Sequence, residues 1–193
     1  MRKQLTLLVF GLMIAAVSQA AIITFTGTIG SPVASTAEGV YTYSTFSGGL
    51  YRDSQGNGDS FNMEGCSSCG GGVLRVVRND VAGGLFTFNG ADVAFQFNTV
   101  APITFRGYLS SVLVGTDIFN TALGSGYTSH LSNLLSGVAI DELRVQLNAT
   151  QSTATVVDNI NVTASAIPEP ATLALVGLTL AGLAVRRRTK RDR

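Results

Sequence analysis

Short runs in which apolar and polar residues alternate recur through the middle of the chain. They fall at residues 22–29, 40–46, 73–77, 85–88, 93–97, 103–109, 142–147, 154–157 and 159–163. Alternation with a period of two places one apolar face against a core and turns the other outward. The runs are rich in Val, Ile, Thr, Phe and Tyr, which suit a pleated, half-buried surface. Gly48-Gly49, Gly56-Asn57-Gly58, Gly83-Gly84 and Asn89-Gly90 stand between them as turn signals. No stretch between the two ends of the chain keeps a long helical period. About nine short strands over residues 21–167 predict an all-β body of β-sandwich type, long enough to bury a core without help from disulfides.

The two ends follow other patterns. Arg2 and Lys3 precede an apolar stretch at residues 5–17, and Ser18-Gln19-Ala20 supplies small residues at the −3 and −1 positions. The apolar part is shorter than the roughly 20 residues of a membrane span. Its charged start and small-residue end predict a signal peptide, residues 1–20, helical and cut by signal peptidase after Ala20. At the other end Pro168-Glu169-Pro170 is stiff and extended. An uncharged run rich in Ala, Leu and Gly follows at 171–185, then Arg186, Arg187, Arg188, Lys190 and Arg191. As a helix the run is about 22 Å long, and it spans a bilayer of about 30 Å if the arginines snorkel and the bilayer thins. The basic cluster would keep that end in the cytoplasm.

Composition sharpens the division. The chain has 193 residues, 13 Lys+Arg, 12 Asp+Glu, one His, no Trp and a formal charge of +1. That near-neutral value comes from cancellation. Residues 21–167 hold only five bases, Arg52, Arg75, Arg78, Arg106 and Arg144, against ten acids, while both ends are basic. An acidic body excludes an ordinary nucleic-acid binder. One histidine excludes a His-rich metal site and makes His-based catalysis an unpromising reading.

Pro168-Glu169-Pro170-Ala171-Thr172, the Leu/Ala/Gly run and the Arg186-Arg187-Arg188 cluster together closely resemble the PEP-CTERM sorting signal of exopolysaccharide-producing Gram-negative bacteria. The resemblance covers residues 168–193 and implies an exosortase as partner. This membrane-embedded, cysteine transpeptidase-like enzyme would cut near the Pro-Glu-Pro tripeptide and release or transfer the body to the cell exterior. The expected route runs through a transient inner-membrane stage to the outer surface or the exopolysaccharide matrix. The body in turn is similar to the jelly-roll-like ectodomains of such proteins. Residues 156–162 resemble the closing strand of such sandwiches and of carbohydrate-binding modules, and residues 85–93 resemble their strand pair around Asn-Gly.

Three patterns in the body carry possible chemistry. Cys66-Ser-Ser-Cys69 is the one cysteine pair. A structural zinc needs four ligands, and a thioredoxin-like motif needs a βαβ setting. A local disulfide in an oxidising compartment is the plainer expectation, and its tiny loop would stabilise little. Residues 53–64 partly match a calcium loop, with Asp53, Asn57, Asp59 and Glu64 as candidate ligands and Gly58 at the turn. Gln55 at position 3 and flanks that do not read as helices depart from that template, so a polar hairpin built from turn residues competes with it. No other cofactor is expected. His130 has no nucleophile motif beside it, and Asp141 and Glu142, as strand neighbours, face opposite ways. The expected role is therefore non-enzymatic, structural or adhesive at the surface or in the matrix. The alternative is a carbohydrate-binding module with a loop calcium.

Overall fold

The computed structural model describes residues 19–25, 35–53, 62–65, 71–97, 102–120, 126–150 and 153–165. Thirteen β-strands lie there: β1 Gln19–Ile23, β2 Thr36–Glu38, β3 Tyr41–Gly48, β4 Leu50–Asp53, β5 Asn62–Gly65, β6 Gly72–Arg78, β7 Phe86–Phe97, β8 Ile103–Leu109, β9 Val112–Phe119, β10 Thr128–Leu131, β11 Glu142–Leu147, β12 Ala149–Thr150 and β13 Thr153–Ala164. They belong to one compact unit, Ser18–Ser165. Among the described residues no helix is long and apolar enough to cross a membrane. The expected signal helix and C-terminal membrane helix lie outside the described residues, apart from Gln19 and Ala20, which open strand β1.

The strands form two antiparallel sheets. One has the order β10-β7-β13-β5-β4, with β1 and β12 also paired to β13; the other runs β2-β3-β6-β11-β8-β9. The all-β, two-sheet expectation matches this arrangement. Alternation explains each face. In β6 (GVLRVVR) and β11 (ELRVQL) every second residue is buried, and Leu74, Val76, Leu143 and Val145 point inward with no exposed surface.

Aromatic rings from the two sheets meet between them. Tyr41 of β3 packs edge-on against Phe86 of β7 at 5.6 Å, and Phe88 of β7 stacks on Phe105 of β8 at 4.9 Å. Fully burying side chains of this size contributes roughly 1.5–3 kcal/mol each. Arg52 of β4 is also buried, and its Nη2 donates to the Tyr43 hydroxyl at 2.5 Å. Burial pushes the Tyr43 phenol up, against the opposing pull of the Arg52 cation. Burial likewise pushes Tyr41 up to about 12, with Arg78 opposing.

Two expected strand pairs are single strands. Residues 85–88 and 93–97 join in β7 through Asn89-Gly90, and residues 154–157 and 159–163 join in β13 through an irregularity between Asp158 and Asn161. Asn89-Gly90 is therefore no turn. Both its neighbours, β10 and β13, supply ladder partners that hold the chain extended, and Gly90 (φ +156) lies where a Cβ would sit 2.3 Å from the His130 carbonyl oxygen. The run expected at 22–29 ends as a strand at Ile23. Strands β2, β4, β5, β9, β10 and β12 have no alternating run of their own in the sequence.

A buried carboxylate closes one end of the core. Asp117 of β9 accepts from Ser132 Oγ at 2.7 Å and from the backbone N–H groups of Asn133, Leu134 and Leu135 at 3.2, 2.8 and 3.4 Å. This ties down the bend that drives Leu135 fully into the core. Leu135 rests on two glycines, because a Cβ at Gly107 or at Gly115 would stand 2.6 Å from its Cδ2.

Two outcomes follow from this packing. Leu135→Ala should cost roughly 2–5 kcal/mol in urea unfolding, and Gly115→Ala should also destabilise, but by less when Leu135 is already alanine; additive losses would show that the two groups do not share space. The second concerns alkaline pH. A folded-state Tyr41 at about 12 keeps a proton that the unfolded chain sheds above about 10. Its contribution is complete below pH 10 and is lost as pH rises through 12, with a slope of at most about 1.4 kcal/mol per pH unit. Thermal melts of Tyr41→Phe across pH 9–12 should show a shallower decline than those of the parent.

Candidate functional site

The two places where the body continues into its end segments lie side by side. In the β1–β13 ladder Gln19 pairs with Ala164 and Ala20 with Thr163. The expected signal cut after Ala20 thus falls within β1. At the other end Ser165 donates its N–H to the Leu85 carbonyl at 2.9 Å. Arg78, nearly fully buried, donates from Nη1 to the carbonyls of Leu85 (2.9 Å) and Ser165 (2.8 Å), and its Nε and Nη2 bind the Asp80 carboxylate at 2.9 and 2.5 Å. The hydrogen bond from Arg78 holds the Asp80 carboxyl below the usual range. Alternation on β6 brings Arg78 inward at the strand end, and the carbonyls and Asp80 satisfy its charge there. Pro168, Glu169, Pro170, Arg186, Arg187 and Arg188 lie outside the described residues, as do Cys66 and Cys69.

The candidate calcium ligands divide. Asp53 ends β4 and Glu64 lies in β5, and the register sets Asp53 opposite Asn62 and Tyr51 opposite Glu64. β4 and β5 pair antiparallel, and the residues between them, Asn57 and Asp59 among them, lie outside the described residues. Among the described residues no three His, Cys, Asp or Glu side chains gather as a metal site would need.

The outer face of the first sheet carries a groove of about 340 Å³, crossing β10, β7, β13 and β1. Its floor is a cross-strand hydrogen-bond array. Asn89 Nδ2 donates to Asn161 Oδ1 (3.0 Å) and Thr163 Oγ1 (2.8 Å). Asp92 accepts from Ser129 Oγ and, at 2.9 Å, from Asn159 Nδ2. Asn159 sits at the irregularity in β13 with φ +45, a left-handed conformation that asparagine tolerates better than most residues. Asp158 lies directly opposite Asp92 and is fully buried, accepting from the Asn159 N–H at 2.7 Å. Ile22 and Leu131 flank the groove as half- and strongly exposed apolar walls. Amides, a carboxylate and hydroxyls between apolar walls can hydrogen-bond a polyhydroxylated ligand. His130 lines the same groove, with its ring stacked on Phe119 at 4.8 Å. Asp141 and Glu142 line one hollow beside Arg75 but take different partners. Asp141 accepts from the Ser110 N–H at 2.8 Å, while Glu142 binds Arg75 at 2.8 Å and also binds Arg144.

The outer face of the second sheet holds an arrangement that the alternating runs alone do not reveal. Arg144 of β11 pairs with Arg75 of β6 on one side and with Arg106 of β8 on the other. Arg144 also packs over the rings of Phe46 at 4.0 Å and Tyr108 at 4.2 Å. Each arginine occupies an outward position of its run, which is the trace it leaves in the sequence; that the three stand in one row depends on register.

A family model described as the PEP-CTERM protein-sorting motif matches residues 166–188. The match begins two residues before Pro168 and ends at Arg188. No curated protein matches the chain. Among solved structures, the chain is similar to a family 29 carbohydrate binding module from Piromyces equi at 8% identity and a TM-score of 0.44, covering 77% of this chain and 91% of that one. A second family 29 carbohydrate binding module has 13% identity and a TM-score of 0.42, covering 81% and 97%. The CBM22-1–GH10 modules of a Clostridium thermocellum endo-1,4-beta-D-xylanase complexed with xylohexaose have 14% identity and a TM-score of 0.36, covering 67% of this chain and 27% of that one.

Proposed function

We propose, from the premise that this chain carries a PEP-CTERM protein-sorting motif, that it is an exported substrate of an exosortase. The observation that carries the reading is the ordered tail: Pro168-Glu169-Pro170, then the apolar run, then Arg186-Arg187-Arg188. The leader of residues 1–20 delivers the chain to signal peptidase, which cuts after Ala20. The apolar run then holds the chain in the inner membrane, with the arginines on the cytoplasmic side. The exosortase cuts near the tripeptide, and the body passes to the outer surface or the exopolysaccharide matrix. In its sandwich, jelly-roll-like in the way the chain passes repeatedly between sheets, the body has a structural or adhesive rather than a catalytic role. Cys66 and Cys69 form a local disulfide in that oxidising setting.

Replacing Pro168, Glu169 and Pro170 together by alanine should leave the protein full-length in the inner-membrane fraction. Normal release of that variant would refute the sorting route.

A second reading makes the body a carbohydrate-binding module with calcium in the loop that starts at Asp53 and ends at Glu64. The groove of the first sheet favours it, because amides, hydroxyls and a carboxylate between apolar walls suit the hydroxyls and C–H faces of a sugar. Calcium bound only by the folded chain raises its stability by mass action. Millimolar calcium should then raise the melting temperature, and Asp53→Asn with Glu64→Gln should abolish the rise. An unchanged melting curve in the parent would remove calcium from this reading.

A further inference from the structure

We propose that the outer face of the second sheet binds a carboxylated polysaccharide through the row Arg75–Arg144–Arg106. The observation is a matter of register. These three of the body's five bases stand directly across from one another on adjacent strands β6, β11 and β8. The other two are spent internally, Arg52 on Tyr43 and Arg78 on Asp80 and two carbonyls. Like charges directly opposite one another on a sheet are destabilising. A body with ten acids keeps three outward-facing arginines on adjacent strands, and an anionic ligand would relieve the repulsion that Glu142 leaves uncompensated.

The row is only partly neutralised. Glu142 binds Arg75 at 2.8 Å and also binds Arg144. Arg106 has no acidic or hydrogen-bonding partner among the described residues, and its ladder neighbour on β9 is Thr116. The hollow at the other end of the row, beside Arg75, sets Arg75 and Arg78 against Asp141 and Glu142 and so offers an anion no net positive charge. The ligand's carboxylate therefore anchors at Arg106 and Arg144, whose guanidinium forks match carboxylate oxygens. Phe46, half exposed, and Tyr108 flank Arg144. The negative ring faces of such aromatics attract the partly positive C–H faces of a pyranose.

Shape and charge select the ligand class. Strands about 4.8 Å apart place the row across about 10 Å of open sheet, which suits charges repeated along an extended chain better than a single small anion. The body's own acidic surplus disfavours densely charged nucleic acid, while a polymer with one carboxylate per sugar meets less long-range repulsion. This inference draws on the export reading only for where such a polymer would be met.

The test is binding of the full-length chain, in a zwitterionic detergent, to polygalacturonate, to an uncharged β-glucan and to single-stranded DNA. Polygalacturonate should bind and the β-glucan should not, and added salt should weaken the complex by screening. Arg106→Gln, which breaks no ion pair or side-chain hydrogen bond among the described residues, should weaken binding about fivefold or more, and Arg75→Gln should weaken it further, because Glu142 would then neutralise Arg144 alone. A tail variant with Arg186, Arg187 and Arg188 changed to Gln should bind as the parent does. The proposal is overturned if polygalacturonate does not bind, if the β-glucan or DNA binds as tightly, if the Arg106→Gln/Arg75→Gln pair leaves affinity unchanged, or if the tail variant loses it. None of these outcomes bears on sorting, which is read separately from the fractionation of the Pro168-Glu169-Pro170 variant.

Discussion

Strand β13, Thr153–Ala164, carries hydrogen-bonded neighbours on both edges for nearly its whole length. One edge is taken by β7; the other is shared in turn by β12, β5 and β1. The first sheet cannot assemble without it, because three of its strands share no ladder with one another and are joined only through β13. Backbone groups buried in such a ladder must be paired, so the strand's outer-facing residues are constrained as well. Asp158 is buried directly opposite Asp92, and Asn159, at the irregularity, lines the groove. The last strand of the body thus completes the fold, and the sorting motif begins at residue 166, two positions after its end. Pairing of β1 with the same stretch of β13 sets Gln19 and Ala20 opposite Ala164 and Thr163.

Charge is scarce in this body, so where each charge sits carries weight. Arg52 is buried against Tyr43, and Arg78 ties β6 to the exit of β13. Asp117 organises the bend that seats Leu135. Arg78 and Asp117 are buried with several hydrogen bonds, the condition under which a buried charge is tolerated. The remaining arginines, Arg75, Arg144 and Arg106, form the row on the outer face. The two outer faces therefore differ in kind: one offers amides, hydroxyls and a carboxylate, the other guanidinium groups and aromatic rings.

Much of the fold was legible because it is written in local periodicity. Strands β3, β6, β8 and β11 lie on the expected runs, since their alternation is regular and their inner residues are large. Strand β9 was not legible: Val112, Leu113 and Val114 are consecutive, apolar and exposed, so no alternation marks them, and the Ser110-Ser111 turn takes left-handed φ values without the usual glycine or asparagine. Asn89-Gly90 misled in the other direction, because a dipeptide that normally turns the chain is held straight by ladders on both sides. The candidate site residues followed the same division. Asp141 and Glu142 stay together by adjacency in the chain, both lining one hollow at the start of β11, whereas the groove joins residues from four strands far apart in the chain.

The sequence by itself determined the ends and the class of the body. A charged start, an apolar stretch and a small-residue cut, then a rigid tripeptide, an apolar run and a basic cluster, are linear features, and the partners expected to read them would meet them as linear chain. Alternating apolar residues likewise commit a segment to one face in and one face out, whatever its neighbours. Only the tertiary structure decided which segments became neighbours. That choice set Arg75, Arg144 and Arg106 in line, joined Asn89 to Asn161 and Asp92 to Asn159, and placed Leu135 on Gly107 and Gly115. Register is fixed by long-range hydrogen bonding and by the fit of one sheet's inner face to the other, and a one-residue slip would turn every side chain of a strand to the opposite face.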